Sequence, residues 1–253
     1  MTDAFSESIF ALFLMFCRIG GCILLAPGLS SPRVPVNVRL FVAVGVTAAL
    51  SPLMIVPLAK ELDSVPKEQQ PLLIFHEMLI GVSIGLMARC FLLALQFAAT
   101  AISNFIGLSG IPGIPLEEGD TGSPLATLVS SAAVMIIFIL GLHVELLKAV
   151  IDSYGVIALS SAFPVEPLLN NLLRTTGESW LLALRLAGPF LLYGVVVNFA
   201  LGMGNRFAQQ LSMYHATTGV VILGGFLLLY VMWIDWILVF IDAYRSWLAQ
   251  GGF

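Results

Sequence analysis

Three arginines lie inside apolar stretches, where a charge is expensive to place. Arg18 sits near the middle of the first such stretch, and Arg89 and Arg185 fall within later ones. An arginine at the centre of a bilayer costs roughly 2.5–3.5 kcal/mol on the insertion scale. Each therefore needs a partner or a protein-facing position, and Glu77 and Glu145 are the acids available for pairing. Such charges can line a proton or ion path. More commonly they pair structurally within or between subunits, or snorkel near a segment end.

Other reactive residues give weaker patterns. His76-Glu77 and His143-Val144-Glu145 set an imidazole near a carboxylate. Neither reaches the HExxH spacing that puts two imidazoles on one helical face, so no metal is expected. Gly107-Leu108-Ser109-Gly110 matches the short GxSG pattern of intramembrane serine proteases, with His215 as the later base it would need. The glycine pattern that should follow that histidine is missing from His215–Gly219, and no catalysis is expected. There is no Walker motif and no soluble nucleotide domain, so no cofactor is expected either. Cys17, Cys22 and Cys90 lie in apolar segments and read as small buried residues, with Cys17 and Cys22 five apart and off a common helical face.

The elements that carry these residues are set by hydropathy. The chain has 253 residues, of which 59% are hydrophobic and 10% charged, against about 25% charged in soluble domains. Leu186–Asn205 and Phe207–Ile234 contain no Asp, Glu, Lys or Arg, and about 20 apolar residues in a helix cross a hydrocarbon core. The net charge of -4 offers no basic face for nucleic acid. Six apolar segments are expected, at about 8–29, 38–58, 72–104, 125–150, 180–202 and 216–241. All are of helix length and none alternates as a barrel strand does. The expectation is an all-α membrane protein, a single integral-membrane domain over 1–253. Met1-Thr2-Asp3 is acidic where a signal peptide would be basic, so the first segment reads as retained.

Prolines mark the joints, at 27, 32, 35, 52, 57, 66, 71, 112, 115, 124, 164 and 167; Pro189 lies inside a segment and should kink it. Two connections exceed a tight turn. Asn104–Pro124 is apolar and rich in Gly and Pro in its first half, acidic in its second, and free of Lys and Arg. Asp152–Ser179 reads as a polar connection. Lysines and arginines do not separate cleanly between the two sides, as simple spans would have them do. Some segments are therefore expected to pack inside an assembly rather than in lipid. Gly81 and Gly85 form a GxxxG pair, a spacing that lets helix backbones approach where lipid supplies no hydrophobic drive. The stretch Gly202–Arg206 reads as a helix-hairpin turn suited to a membrane surface or a subunit contact.

Taken in order, several of these elements resemble the FliR family of flagellar type III export-gate proteins and their injectisome counterparts. The resemblance covers nearly the whole chain. It begins with Arg18, Ala26-Pro27, Val34-Pro35, Arg39 and Ser51-Pro52. It continues with Leu79-Ile80-Gly81-Val82-Ser83-Ile84-Gly85, with Phe105-Ile106-Gly107-Leu108 opening a central loop, and with Gly141-Leu142-His143. Its most specific part is Asn198-Phe199-Ala200-Leu201-Gly202 with Asn205-Arg206 and Gln210-Leu211, similar to the family's NxALGxxNRxxPQL. Gln209 stands where the family usually has Pro, and the loop continues as Leu108-Ser109-Gly110 rather than the family's GxQMG.

The resemblance implies a non-enzymatic subunit of the flagellar protein export gate in the bacterial inner membrane and basal body. One copy would join about five FliP and about four FliQ subunits, near FlhA and FlhB, and act on unfolded flagellar proteins. It implies kinked hairpins, a FliP-like part followed by a FliQ-like part, in a spiral lifted above the bilayer plane. It also implies that the loop at about 105–122 plugs the pore. Composition fits that role, and fits a surface loop with no gating role about equally; the resemblance is what favours the plug. Phe105, Ile106, Leu108, Ile111, Ile114 and Leu116 supply apolar contact, Gly107, Gly110 and Gly113 supply backbone freedom, and Pro112 and Pro115 prevent a continuous helix. Arg18, Pro27, Pro35, Arg39, Gly81, Gly85, Asn198, Gly202, Asn205, Arg206 and Gln210 are expected to serve structure and assembly. The alternative is a small-solute transporter or channel, supported by Arg18, Arg89 and Arg185 but by no broken-helix repeat.

Overall fold

The computed structural model describes residues 2–62, 65–108, 123–159, 163–207 and 213–251. Its described elements are helical: α1 (Thr2–Leu25), α2 (Val36–Leu62), a 3-10 turn (Lys67–Gln69), α3 (Gln70–Phe105), α4 (Pro124–Ile139), α5 (Leu142–Val156), α6 (Val165–Phe207) and α7 (Met213–Ala249). Five helices are long and apolar enough to cross a membrane, or six when α4 and α5 count as one bent span. The fold is that of an all-α, multi-pass membrane protein.

Three expectations about segments change. The fourth segment is not one helix, because the chain bends by 69° between α4 and α5. Gly141 causes the break: its φ of +72° lies in the left-handed region, which ends α4 as a glycine commonly ends a helix. The fifth segment begins at Val165, so most of the connection read at Asp152–Ser179 is helix. Its Asn, Thr and Gly residues looked like loop, but Leu168, Thr175, Ser179, Leu182 and Leu186 are buried at helical spacing. Pro167 falls in the first turn, where its missing N–H is harmless. Pro52 and Pro57 lie inside α2 rather than at a joint. Pro52 cannot donate to the Ala48 carbonyl, and the Ser51 hydroxyl donates to it instead at 2.9 Å. At Pro189, α6 continues without a break.

The helices pack as two clusters. The first comprises Met1–Cys90, Ile137–Gly177 and Tyr244–Phe253. Here α1 packs against α2 and α5, and Leu14, Met15, Ile19, Ile80, Ile84 and Trp247 fill the interior. The α1–α2 connection turns at Gly28, whose φ is +86°. Arg39 ties that connection down, donating to the Ser31 carbonyl at 2.6 Å and the Val34 carbonyl at 3.0 Å. Pro27 is buried in the connection, and Pro35 leads into α2.

The second cluster comprises Phe91–Ile136 and Glu178–Ala243. Its core includes Phe91, Leu95, Ile102, Ala133, Phe190 and Phe240. Within it α6 and α7 form an antiparallel hairpin. The Trp236 indole N–H donates to the Leu186 carbonyl at 3.2 Å, and the Tyr193 hydroxyl donates to the Val221 carbonyl at 2.6 Å.

Candidate functional site

The first cluster holds a sealed ionic node. Arg18 is fully buried and Glu77 nearly so. The guanidinium grips the carboxylate with both edges, Nε to Oε2 at 2.7 Å and Nη2 to Oε1 at 2.6 Å. From α5, Ser153 Oγ accepts from Nη1 at 2.9 Å, and just beyond that helix the Ile157 carbonyl accepts from Nη2 at 3.3 Å. The Tyr154 ring lies 3.7 Å under the guanidinium carbon, and its hydroxyl donates to Glu77 Oε2 at 3.2 Å. Two-pronged, charge-assisted bonding is the arrangement that offsets burial of both ions. The sequence offered Glu77 as a partner for Arg18. It hid Ser153 and Tyr154, which had been placed in a connection.

The approach of α1 to α3 explains how the pair meets. A Cβ on Gly81 would run into the backbone of Arg18, one on Gly85 would lie 2.5 Å from the Cys22 carbonyl oxygen, and one on Gly21 would lie 2.8 Å from the Met78 carbonyl oxygen. The GxxxG pair therefore meets a neighbouring helix of the same chain. Glu77 sits one turn before Gly81 on α3, on the same face, so the contact delivers its carboxylate to Arg18.

The remaining charged and reactive residues are scattered. Arg89 is half-buried on α3, Arg185 is exposed on α6, and Glu145 is half-buried on α5. His76 packs on Phe163 with ring centroids 4.9 Å apart, and His143 stacks on Phe138 at 4.8 Å. Among the described residues no three His, Cys, Asp or Glu side chains are grouped to hold a metal. Cys22 is buried, whereas Cys17 and Cys90 are only half-buried. Ser109 and the side chain of His215 lie outside the described residues.

The second cluster holds the start of the central loop. Phe105 ends α3 and packs against Gly194 of α6; Ile106 is fully buried against Gly225 of α7. Gly107 follows with a φ of +76°, and Leu108 is half-buried. Ile111, Ile114 and Leu116 lie outside the described residues. The chain re-enters at Ser123, whose hydroxyl accepts from the Ala126 N–H at 3.1 Å and caps α4, with Pro124 at its first position.

Further along α6, Asn198 donates to the Gly194 carbonyl of its own helix at 2.8 Å. Gly202 and Arg206 are exposed and lie within α6, so the stretch read as a hairpin turn is the last turns of a helix instead. The side chains of Asn205 and Gln210 lie outside the described residues.

Long apolar helices, tight glycine crossings and a sealed ion pair define a multi-pass membrane protein rather than a soluble one. Residues 9–246 match the family described as bacterial export proteins, family 1, and the chain belongs to that family. It is similar to the flagellar biosynthetic protein FliR of Caulobacter vibrioides, 26% identical over 242 residues that cover 94% of each chain. It is also similar to the flagellar biosynthetic protein FliR of Escherichia coli, 26% identical over 213 residues, covering 80% of this chain and 76% of that one. The Yop proteins translocation protein T of Yersinia pestis is 28% identical over 149 residues, 56% of each chain.

Proposed function

We propose that the chain is a non-enzymatic subunit of the flagellar type III protein export gate in the bacterial inner membrane. It forms part of the entry pore for unfolded flagellar proteins, together with FliP and FliQ subunits and near FlhA and FlhB. The extent of the family match, residues 9–246, carries this reading.

Helix length supports an assembly. With 36, 43 and 37 residues, α3, α6 and α7 are about 54, 64 and 56 Å long, against a hydrocarbon core of about 30 Å. Lipid tails cannot cover all of such helices, yet Leu169, Leu173, Leu181, Leu192, Leu227 and Val231 are exposed on α6 and α7. Protein neighbours would cover what lipid does not. Arg18, the residue that most favoured a solute path, is paired with Glu77, bonded to Ser153 of α5 and the Ile157 carbonyl, and sealed from water.

The loop at about 105–122 is the pore plug in this reading, and the single-domain organisation over 1–253 goes with it. A resting pore wide enough for an unfolded chain must exclude ions, and a short segment with an apolar stretch can do so and still be displaced by substrate. The test is co-expression with FliP and FliQ, followed by native mass in mild detergent. One copy in a complex with several partners is expected; a lone monomer or homodimer would overturn the reading. Deleting residues 108–122 from the assembled complex should raise resting ion permeability. Unchanged permeability would remove the plug role alone.

A further inference from the structure

Glycine inside a helix costs about 1 kcal/mol relative to alanine, so a glycine there needs a reason. Gly188, Gly202 and Gly219 face open space. Gly194 and Gly225 do not. A Cβ on Gly194 would lie 3.1 Å from Phe105 Cβ, and one on Gly225 would collide with Ile106 Cγ2 and lie 2.6 Å from its Cβ. Both glycines are buried, and Ile106 is 0% exposed.

The helices bearing the two glycines are tied together at this level. The Tyr193 hydroxyl, next to Gly194 in sequence, donates to the Val221 carbonyl at 2.6 Å. That hydroxyl also lies 2.5 Å from where a Gly224 Cβ would sit. This bond holds the two helices together beside the notch, so an extra methyl there meets resistance. Immediately after Ile106 the backbone turns into the left-handed region at Gly107, so the direction of departure from α3 is set at the same point.

We propose that Gly194 and Gly225 are positioning residues: they form a seat on the α6–α7 hairpin that fixes Phe105 and Ile106, and so fixes where the chain leaves α3 toward the plug. The inference rests on the plug reading and adds to it the residues that hold the closed state. Gly225→Ala overpacks the seat. Overpacking of this kind shifts a seated-to-unseated equilibrium by about 5- to 150-fold. Ile106→Gly empties the seat and should shift it by about 30-fold or more.

The experiment compares G225A, I106G, the double variant I106G/G225A, and G219A as a control on the same helix, each in complexes isolated with the partner subunits. Resting ion permeability in reconstituted vesicles and copies per complex are measured. G225A and I106G should assemble and leak, while G219A should stay as tight as the parent. In the double variant the two colliding atoms of residue 106 are gone and its Cα lies 3.6 Å from the new methyl, so its leak should equal that of I106G alone. If G225A fails to assemble, recovery of assembly in the double variant supports the seat, and failure of both overturns it. Tight, assembled G225A complexes would overturn the seat if the 108–122 deletion leaks. If that deletion does not leak, the plug reading fails first and the seat fails with it.

Discussion

Removing Glu77 isolates the energetics of the ionic node. In Glu77→Ala the Arg18 guanidinium stays in place, fully buried, but loses the acceptor of its Nε and of one Nη2 hydrogen. Charge-assisted bonds contribute about 1.5–3 kcal/mol each, so two of them set a loss of about 3–6 kcal/mol. Breaking a buried pair from one side costs about 3–5 kcal/mol, which agrees. Against a total stability of about 5–15 kcal/mol, the variant is severely weakened, and at about 2–4 °C per kcal/mol its Tm should fall by about 6–20 °C. Arg18→Met with Glu77→Leu removes both charges and fills a similar volume. It should recover most of the loss, short of about 1 kcal/mol for the acceptor that Tyr154 loses. The assay is thermal unfolding of the detergent-solubilised complex, with membrane abundance alongside. Glu77→Ala with the parent Tm would refute the structural role of the pair. A double variant as damaged as the single would refute the desolvation reasoning.

Gly85→Leu places a side chain where even a Cβ lies 2.5 Å from the Cys22 carbonyl oxygen; α1 and α3 should separate and the protein should disappear from membranes on immunoblots. Ser51→Ala strands the Ala48 carbonyl left free by Pro52 and should cost about 1 kcal/mol, read as a Tm lowered by about 2–4 °C. Gly141→Ala forces a Cβ into a left-handed backbone at φ +72°; a strain of about 1–2 kcal/mol should follow, with faster amide exchange around Phe138–Val144.

The helical class was legible because composition and uncharged length decide it, and Arg18 with Glu77 was legible because a charge in an apolar segment demands a partner. Helix limits were less so. Asn170, Asn171, Thr175, Thr176 and Gly177 are poor helix formers, yet α6 runs through them because Leu168, Thr175 and Ser179 share a buried stripe. Tertiary packing overrode local propensity there. The partners Ser153 and Tyr154 were hidden for a related reason: an α5 that follows a 69° bend presents a new face, and no periodicity carried across Gly141 reveals it. That Gly81 and Gly85 meet α1 of the same chain is a fact of topology, and spacing alone does not contain it. The seat of Ile106 joins residues over a hundred positions apart, which only the packed hairpin brings together.

The glycine crossings and the ionic node solve different parts of one problem. In lipid, or among apolar neighbours, little hydrophobic drive holds one helix at a given height or rotation against another. Gly21, Gly81 and Gly85 let α1 and α3 come close, but a smooth seam of small residues also permits sliding. A bidentate guanidinium–carboxylate contact does not slide, because moving by one residue along a helix shifts the groups by about 1.5 Å and turns them by about 100°. Ser153 and Ile157 extend the same restraint to α5 and the residues after it. On this reasoning the apolar double variant at 18 and 77 keeps its stability and loses its register. Paired cysteines placed across the α1–α3 seam should then cross-link at more than one spacing, where the parent cross-links at one. A single spacing in the double variant would show that packing alone sets the register.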